Sequence, residues 1–264
     1  MLLGKVGHGK TATASSILER SVSHMDESTT DVFLAGSCVS ADGVSNIAVI
    51  DSPGLFDTWP IDDVLDTTRM FDHIKEAINI SADGITAFVI VFRYGARYTD
   101  DEQKVVCNLE QTFGPRFFAE HVIVLFTHGE DYRMRHGCAP FEDWVLSQMA
   151  DVQKLYNMCR GRCLLFMNVT RSVETASEQR RKLLNVLSGM TEKFTITDYR
   201  EMRPNIDKLL SVLKKSSGVR GFLRNMWHWF GKPIYLTPLF FLLFLYYFRF
   251  HYRSTAEVVP YNKL

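Results

Sequence analysis

The residues with the clearest chemical pattern lie at the start of the chain, in positions 4–11. This segment reads Gly-Lys-Val-Gly-His-Gly-Lys-Thr and matches G-x-x-x-x-G-K-[ST] at every fixed position. Glycines let the backbone curl so that its N–H groups face phosphate oxygens, and a helix that begins there adds its positive end. Lys10 would reach the outer phosphates, and the Thr11 hydroxyl would bind Mg²⁺. The pattern predicts a phosphate-binding loop formed by Gly4, Lys5, Val6, Gly7, His8, Gly9, Lys10, Thr11 and Ala12.

A second element follows in residues 46–54, which read Asn-Ile-Ala-Val-Ile-Asp-Ser-Pro-Gly. A strand that ends in Asp51 would direct its carboxylate at the metal. Gly54, at D-x-x-G spacing, would offer a bare N–H to a γ-phosphate. A P-loop kinase would carry an arginine-rich lid, and the sequence contains none. The two elements together indicate a GTPase-type switch.

Apolar runs and amphipathic segments alternate along the chain and would position these residues. Buried strands are predicted at residues 46–50, 85–92, 121–126 and 163–167. Helices are predicted at residues 11–19, 64–80, 100–113 and 141–160, and at 174–215 with one break at Pro204. This alternation predicts a three-layer α/β fold with a mostly parallel central sheet. Because 30 basic residues balance 30 acidic ones, the charge argues against a nucleic-acid partner.

The segment 51–57, Asp-Ser-Pro-Gly-Leu-Phe-Asp, resembles the D-T-P-G-L-F-D motif of the GIMAP family, the GTPases of immunity-associated proteins. Residues 92–99, the acidic stretch 100–103, Phe113-Gly114 and Ile-Val-Leu-Phe-Thr at 123–127 follow in the order of that family's distinguishing box. The resemblance spans roughly residues 4–187. It implies an AIG-type guanine-nucleotide-binding domain that binds GTP or GDP with Mg²⁺ and forms a nucleotide-dependent homodimer or oligomer.

The resemblance also implies a base-recognition segment after the strand at 121–126. Asp131 is expected to accept hydrogen bonds from the N1–H and 2-amino group of guanine, with His128 and Gly129 where Asn-Lys usually stands. A register one residue off remains an alternative. Asn168 matches the family's asparagine beside the base, although a strand-end turn former is another interpretation. The residues assigned to the base are Thr127, His128, Glu130, Asp131 and Asn168.

The predicted metal ligands are Thr11, Asp51 and Thr30, a switch threonine that would close on Mg²⁺ and the γ-phosphate. Thr29 is nearly as good a candidate for that role. Leu55 stands where Ras-like enzymes carry a water-positioning glutamine. An apolar side chain cannot orient water, so intrinsic hydrolysis is expected to be slow unless another residue or a second subunit helps.

A charge-free apolar run at residues 234–248 is flanked by lysine, arginine and tryptophan. It is shorter than the ~20 residues of a straight spanning helix, but residues 231–252 reach that length if Lys232 and Arg249 extend outward. A buried core helix or an interfacial helix is the alternative. The domains expected are a G domain at 1–187, a helical extension at 188–225, a membrane anchor at 226–252 and a polar tail at 253–264.

These patterns together predict a GTP-binding switch and scaffold on the cytosolic face of an intracellular membrane. An efficient GTPase is the first alternative, and Leu55 argues against it. A structural module that binds nothing is the second, because only three residues precede the phosphate loop and a central strand normally has about five or six. A short first strand or a missing true start would explain this. The intact Lys10 and Thr11 argue against the non-binding module.

Overall fold

The computed structural model describes residues 1–19, 33–39, 46–54, 63–81, 83–96, 98, 100–148, 150–170 and 172–229 of the 264-residue chain. Two compact units are present, Met1–Ser217 and Gly218–Leu264. In the second unit, the described residues 218–229 are helical. The predictions made for Thr30, Leu55 and residues 234–248 lie outside the described residues.

A parallel sheet forms the centre of the first unit. Its strands, in chain order, are β1 (Leu2–Leu3), β4 (Phe88–Arg93), β5 (Val122–Thr127) and β6 (Cys163–Leu165), and each pairs with the next in parallel. Between β1 and β4 in the chain, β2 (Phe33–Val39) and β3 (Asn46–Asp51) form an antiparallel pair. The predicted α/β fold with a mostly parallel sheet is therefore confirmed.

Eight helices lie in the described part of the chain. They are α1 (Lys10–Leu18), α2 (Asp63–Ile80), α3 (Asp100–His121), α4 (Gly129–His136), α5 (Phe141–Leu146), α6 (Ala150–Met158), α7 (Val173–Ser188) and α8 (Ile196–Trp229). None of these helices combines the length and the apolar character needed to cross a membrane.

Successive strand residues enter two cores on opposite faces of the sheet, as the period of a strand requires. One core joins α1 and α7 to strand residues Leu2, Val89, Val91, Ile123 and Leu125. The other joins α2, α3, α6 and α8 to Leu3, Phe88, Ile90, Phe92, Val122, Val124 and Phe126. The sheet thus lies between two helical layers, and its carboxyl ends open toward one edge where loops can meet.

The helices depart from the sequence pattern at four places. The predicted helix at 141–160 is two helices, α5 and α6, and α4 was not predicted. Helix α3 runs past Phe113 to His121, with a kink at Gly114 (φ 77°, ψ 172°) before Pro115. Helix α8 continues through Pro204, where a break was expected.

The break in the last helical region falls instead between Ser188 and Ile196. Phe194 pairs there with Ile85 in an antiparallel bridge, with N–H···O distances of 2.8 Å in both directions. The Phe194 ring packs edge-on against Phe88 and Phe113, at centroid distances of 5.5 Å. These partners are distant in sequence, so the local pattern did not reveal the break.

The start of α8 belongs to the first unit. Tyr199, Ile206 and Leu209 are buried in its core, and the Tyr199 hydroxyl donates to Phe71 O at 3.1 Å. Residues 188–217 therefore share one compact unit with the preceding chain. The finer division at residue 187 stays a sequence-based prediction.

Candidate functional site

The loop between β1 and α1 has the backbone that its glycines predict. Gly4, Gly7 and Gly9 all have positive φ, at 149°, 77° and 85°, a region that residues with a side chain rarely adopt. A Cβ on Gly4 would also lie 2.5 Å from Val91 O, in van der Waals conflict with β4. The loop therefore needs glycine for its conformation and, at Gly4, for its approach to the sheet.

Lys10 is buried and held by the loop itself. Its Nζ donates to Gly4 O at 2.9 Å and to Lys5 O at 3.1 Å. Neutral carbonyls are weaker partners for an ammonium than phosphate oxygens, because charge-assisted hydrogen bonds are roughly twice as strong. A phosphate oxygen would therefore be a stronger partner for the Lys10 ammonium than these two carbonyls.

Thr11 and Asp51 meet at one point beside the loop. The Thr11 Oγ1 donates to Asp51 Oδ2 at 2.7 Å, and the other carboxylate oxygen accepts from Ser52 N at 3.0 Å. The Ser52 hydroxyl donates to Leu2 O at 2.6 Å and so ties the end of β3 to β1. A hydroxyl and a fully buried carboxylate are hard oxygen ligands of the kind Mg²⁺ prefers.

The described residues contain no group of three or more His, Cys, Asp or Glu that could hold a metal. Mg²⁺ is usually bound by one or two protein oxygens together with substrate phosphates and water. The donor set at Thr11 and Asp51 therefore fits an ion that a nucleotide helps to hold. The third predicted ligand, Thr30, lies outside the described residues.

The end of β5 contacts the phosphate loop directly. The Thr127 Oγ1 donates to His8 O at 2.9 Å and lies 3.3 Å from Phe92 O. His128 follows with φ 58° and caps α4, whose first turn carries Glu130 and Asp131. The predicted base-recognition segment is therefore a strand end followed by a helix start, adjacent to the loop.

Gly129 stands where the usual motif has a lysine, and packing explains the glycine. A Cβ there would lie 2.8 Å from Met167 Cγ, 3.0 Å from Leu165 Cγ and 3.1 Å from Phe166 O. The Gly129 N–H donates to Phe166 O at 2.9 Å. Since α4 begins so close to the segment after β6, this position favours a residue without a side chain.

Two adjacent carboxylates lie on the first turn of α4. Glu130 Oε2 is buried and has no hydrogen-bond partner among the described residues. Asp131 is half-buried, and its N–H closes the turn on His128 O at 3.1 Å. Acidic residues are also favourable at a helix N-terminus through the helix dipole. Which of the two reads a base stays a prediction.

Asn168 joins the segment after β6 to the phosphate loop. Its Nδ2 donates to Thr13 Oγ1 at 3.0 Å and to Gly9 O at 3.4 Å, and its Oδ1 accepts from Ser16 Oγ at 3.0 Å. The backbone N–H of Met167 donates to the buried Gln179 side chain. Thr13, Ser16 and Gln179 were not predicted from the sequence, although Thr13 and Ser16 are spaced to share one face of α1.

The His8 side chain packs between the loop, β4 and α3. It is 8% exposed, and its Nδ1 lies 3.3 Å from Val91 O and 3.6 Å from Glu102 Oε1 on α3. Burial lowers the pKa of His8, and the Glu102 carboxylate acts in the opposite direction. The ring thus contacts β4 and α3, and any contact of His8 with phosphate would come from its backbone.

Of the other predicted loop residues, Val6 is 44% exposed, while Lys5, Ala12 and Gly54 are partly exposed. The structure thus brings together the loop, Asp51, the segment 127–131 and Asn168 at the carboxyl ends of β3, β5 and β6. Ligands of open α/β sheets bind at this edge.

Comparison with known proteins identifies relatives of this chain. The chain is similar to Immune-associated nucleotide-binding protein 9 of Arabidopsis thaliana, at 28% identity over 89% of this chain and 68% of that protein. It is similar to GTPase IMAP family member 8 of Homo sapiens, at 26% identity over 68% of this chain and 26% of that protein. The chain thus spans about a quarter to two thirds of the length of these relatives.

Among solved structures, the fold is similar to that of Toc33 from Arabidopsis thaliana in complex with GDP and Mg²⁺. The TM-score is 0.52 at 17% identity, over 74% of this chain and 86% of that chain. Finally, the sequence model of the AIG1 family matches residues 1–215. The resemblance seen in the sequence is confirmed, and this chain belongs to the AIG1 family.

Proposed function

We propose that this protein is a guanine-nucleotide-binding switch that binds GTP and GDP together with Mg²⁺. One observation carries the proposal: Lys10 is held inside the loop, and the Thr11–Asp51 contact of 2.7 Å lies at its end. The Toc33 structures with GDP and Mg²⁺ and with GMPPNP and Mg²⁺, which share the fold, support it.

Residues of the loop and of the segment 51–54 have separate roles in this proposal. Lys10 leaves the Gly4 and Lys5 carbonyls and binds the β- and γ-phosphates, while the loop N–H groups bind the remaining phosphate oxygens. Thr11 and Asp51 hold Mg²⁺, which neutralises phosphate charge when bound. Gly54 contacts the γ-phosphate, which distinguishes GTP from GDP.

The base lies over the segment after β5 in this proposal. Asp131 accepts hydrogen bonds from guanine, and Asn168 lies beside the base. Asn168 contacts both Gly9 and α1, so base and phosphate recognition share one rigid support. A base whose hydrogen bonds are left unmade in such a site is rejected strongly.

We propose that hydrolysis is slow, because Leu55 cannot orient water. Turnover by the diluted, monomeric protein is expected on the order of 10⁻³ per second or below, the range of an unassisted switch. Phosphate release should be measured over a range of protein concentrations, with Lys10→Ala as the background control. Rapid turnover that is independent of concentration down to high dilution would contradict the switch and favour an efficient enzyme.

The exposed side of the site supports nucleotide-dependent self-association. Val6 in the loop is 44% exposed, and Val169 and Val173, which follow Asn168, are 79% and 73% exposed. Dimerisation is important for the GTPase activity of the chloroplast translocon components atToc33 and psToc159, which share the fold. In this proposal a second copy covers these valines, and turnover per chain rises with protein concentration.

We also propose that residues 226–252 anchor the protein to the cytosolic face of an intracellular membrane. The support is the charge-free run at 234–248 with its basic and tryptophan flanks. Burying each large apolar side chain of this run is favourable by about 1.5–3 kcal/mol. The compact first unit ends at Ser217, before the run begins.

The full chain is therefore expected to sediment with membranes, resist carbonate extraction and become soluble when it is truncated after Ser217. The double variant L242R/L243R should lose anchoring, because each arginine costs about 2.5–3.5 kcal/mol at mid-bilayer. A matched control, L242F/L243F, should remain in the membrane. Full-length protein that is soluble and monomeric without detergent would contradict the anchor.

A further inference from the structure

Tyr94, directly after β4, makes contacts at both ends of the predicted base-recognition segment. It is 4% exposed and belongs to no part of the phosphate loop. Its backbone N–H donates to Thr127 O at 3.1 Å. This bond holds the residue that precedes the segment 128–131.

The Tyr94 side chain holds the other end of the same segment. Its ring lies edge-on against Tyr132, the residue after Asp131, with centroids 5.4 Å apart. Its hydroxyl lies 3.0 Å from His136 Nε2, at the last residue of α4. Arg135 lies over the ring face, with its Cζ 5.9 Å from the centroid. One residue therefore contacts three residues of α4.

The residues around Tyr94 also contact one another and helix α5. Trp144 of α5 packs against the Tyr94 ring at 5.0 Å. The Tyr132 hydroxyl donates to Ala139 O at 3.0 Å and to Pro140 O at 2.9 Å, which links α4 to the start of α5. Tyr132 is 3% exposed, and its ring is in contact with that of Tyr94, so a shift of one ring would alter this contact.

We propose that Tyr94 is a positioning residue for base selection, which sets the first turn of α4 and so the place of the carboxylate that reads guanine. The inference rests on the proposed guanine-nucleotide site and adds a residue that does not touch the ligand. Removal of the ring would let α4 shift, and a displacement of about 1 Å is enough to cost up to 10²-fold in a precisely positioned interaction. Phosphate contacts, made by a different loop, would remain.

The test compares affinities for GDP and IDP, which lacks the 2-amino group, by calorimetric titration of the full chain with Mg²⁺. Tyr94→Leu is expected to lower the GDP-to-IDP affinity ratio at least about tenfold. Tyr94→Phe keeps the ring and loses only the contact with His136, so the GDP-to-IDP affinity ratio is expected to fall about threefold. Tyr199→Leu and Tyr199→Phe are matched controls, because Tyr199 is 3% exposed and its hydroxyl donates to Phe71 O far from α4 in the chain.

A purely structural role would lower thermal stability in both pairs of variants and leave the ratio unchanged in both. If Tyr94 acts through Asp131, Tyr94→Leu will have no further effect on the ratio in an Asp131→Asn background. A folded Tyr94→Leu variant with the parent ratio overturns the inference. If that variant does not fold, an unchanged ratio in Tyr94→Phe overturns it. A parent protein that does not prefer GDP over IDP overturns the inference, because no carboxylate then reads the 2-amino group. A parent protein that also fails to prefer GDP over ADP refutes base recognition itself, which distinguishes failure of the proposed function from failure of this inference.

Discussion

Lys10→Ala is expected to weaken binding of both GTP and GDP on the order of 100-fold or more. The ammonium is buried within the loop, where it donates hydrogen bonds to Gly4 O and Lys5 O. Removing one partner of a buried, hydrogen-bonded charge pair typically costs about 2–5 kcal/mol. The affinities should be measured by titration of a fluorescent GDP analogue, with competition by GTP.

Lys5→Ala provides the control within the same loop. Lys5 supplies its backbone carbonyl to Lys10, and this carbonyl is retained in the variant. Its affinity should stay within about threefold of the parent, in the range of surface substitutions. If Lys10→Ala binds both nucleotides as tightly as the parent, the assignment of residues 4–11 to phosphate binding is wrong.

Asp131→Asn is expected to abolish the preference for guanine over other purines. An amide presents a donor where the N1–H and 2-amino group of guanine need acceptors. A site built around such paired hydrogen bonds can discriminate by factors of about 10⁴–10⁵ when they are unmade. The ratio of affinities for GDP and ADP measures this preference directly.

Glu130→Gln is the matched variant for the neighbouring carboxylate. Glu130 Oε2 is buried without a hydrogen-bond partner among the described residues, so this position can also accept from a ligand. With the predicted register, Glu130→Gln retains the guanine preference that Asp131→Asn loses. The reverse result would move the register by one residue and assign base reading to Glu130.

The backbone conformation of residues 4–9 could be predicted from local sequence, because the motif places glycine at fixed positions. Gly4 and Gly9, the fixed glycines, both have positive φ. The strand at residues 46–50 is also confirmed within one residue, as β3. Its short apolar run and its β-branched residues are sufficient to predict a strand.

The base side of the site was less predictable, because its geometry depends on partners that are distant in sequence. Helix α4 is only Gly129–His136, and Tyr94 and Tyr132 hold it through contacts between separate elements. The polar contacts of Asn168 come from α1, about 155 positions earlier. Packing between elements, rather than local pattern, also places the break before α8 at Phe194.

The short first strand does not prevent the loop from forming in this structure. Leu2 and Leu3 pair in parallel with Val89 and Ile90, and both leucines are buried. The Ser52 hydroxyl bond to Leu2 O adds a further contact between β1 and the end of β3. These contacts argue against the non-binding module, since the loop geometry is retained.

The most direct test of the central proposal is an equilibrium titration of the purified full chain with GDP and ADP in the presence of Mg²⁺. We expect one GDP per chain, an affinity for ADP at least about 100-fold weaker, and weaker GDP binding when Mg²⁺ is removed by a chelator. Binding of neither nucleotide, or equal affinity for GDP and ADP, would contradict it.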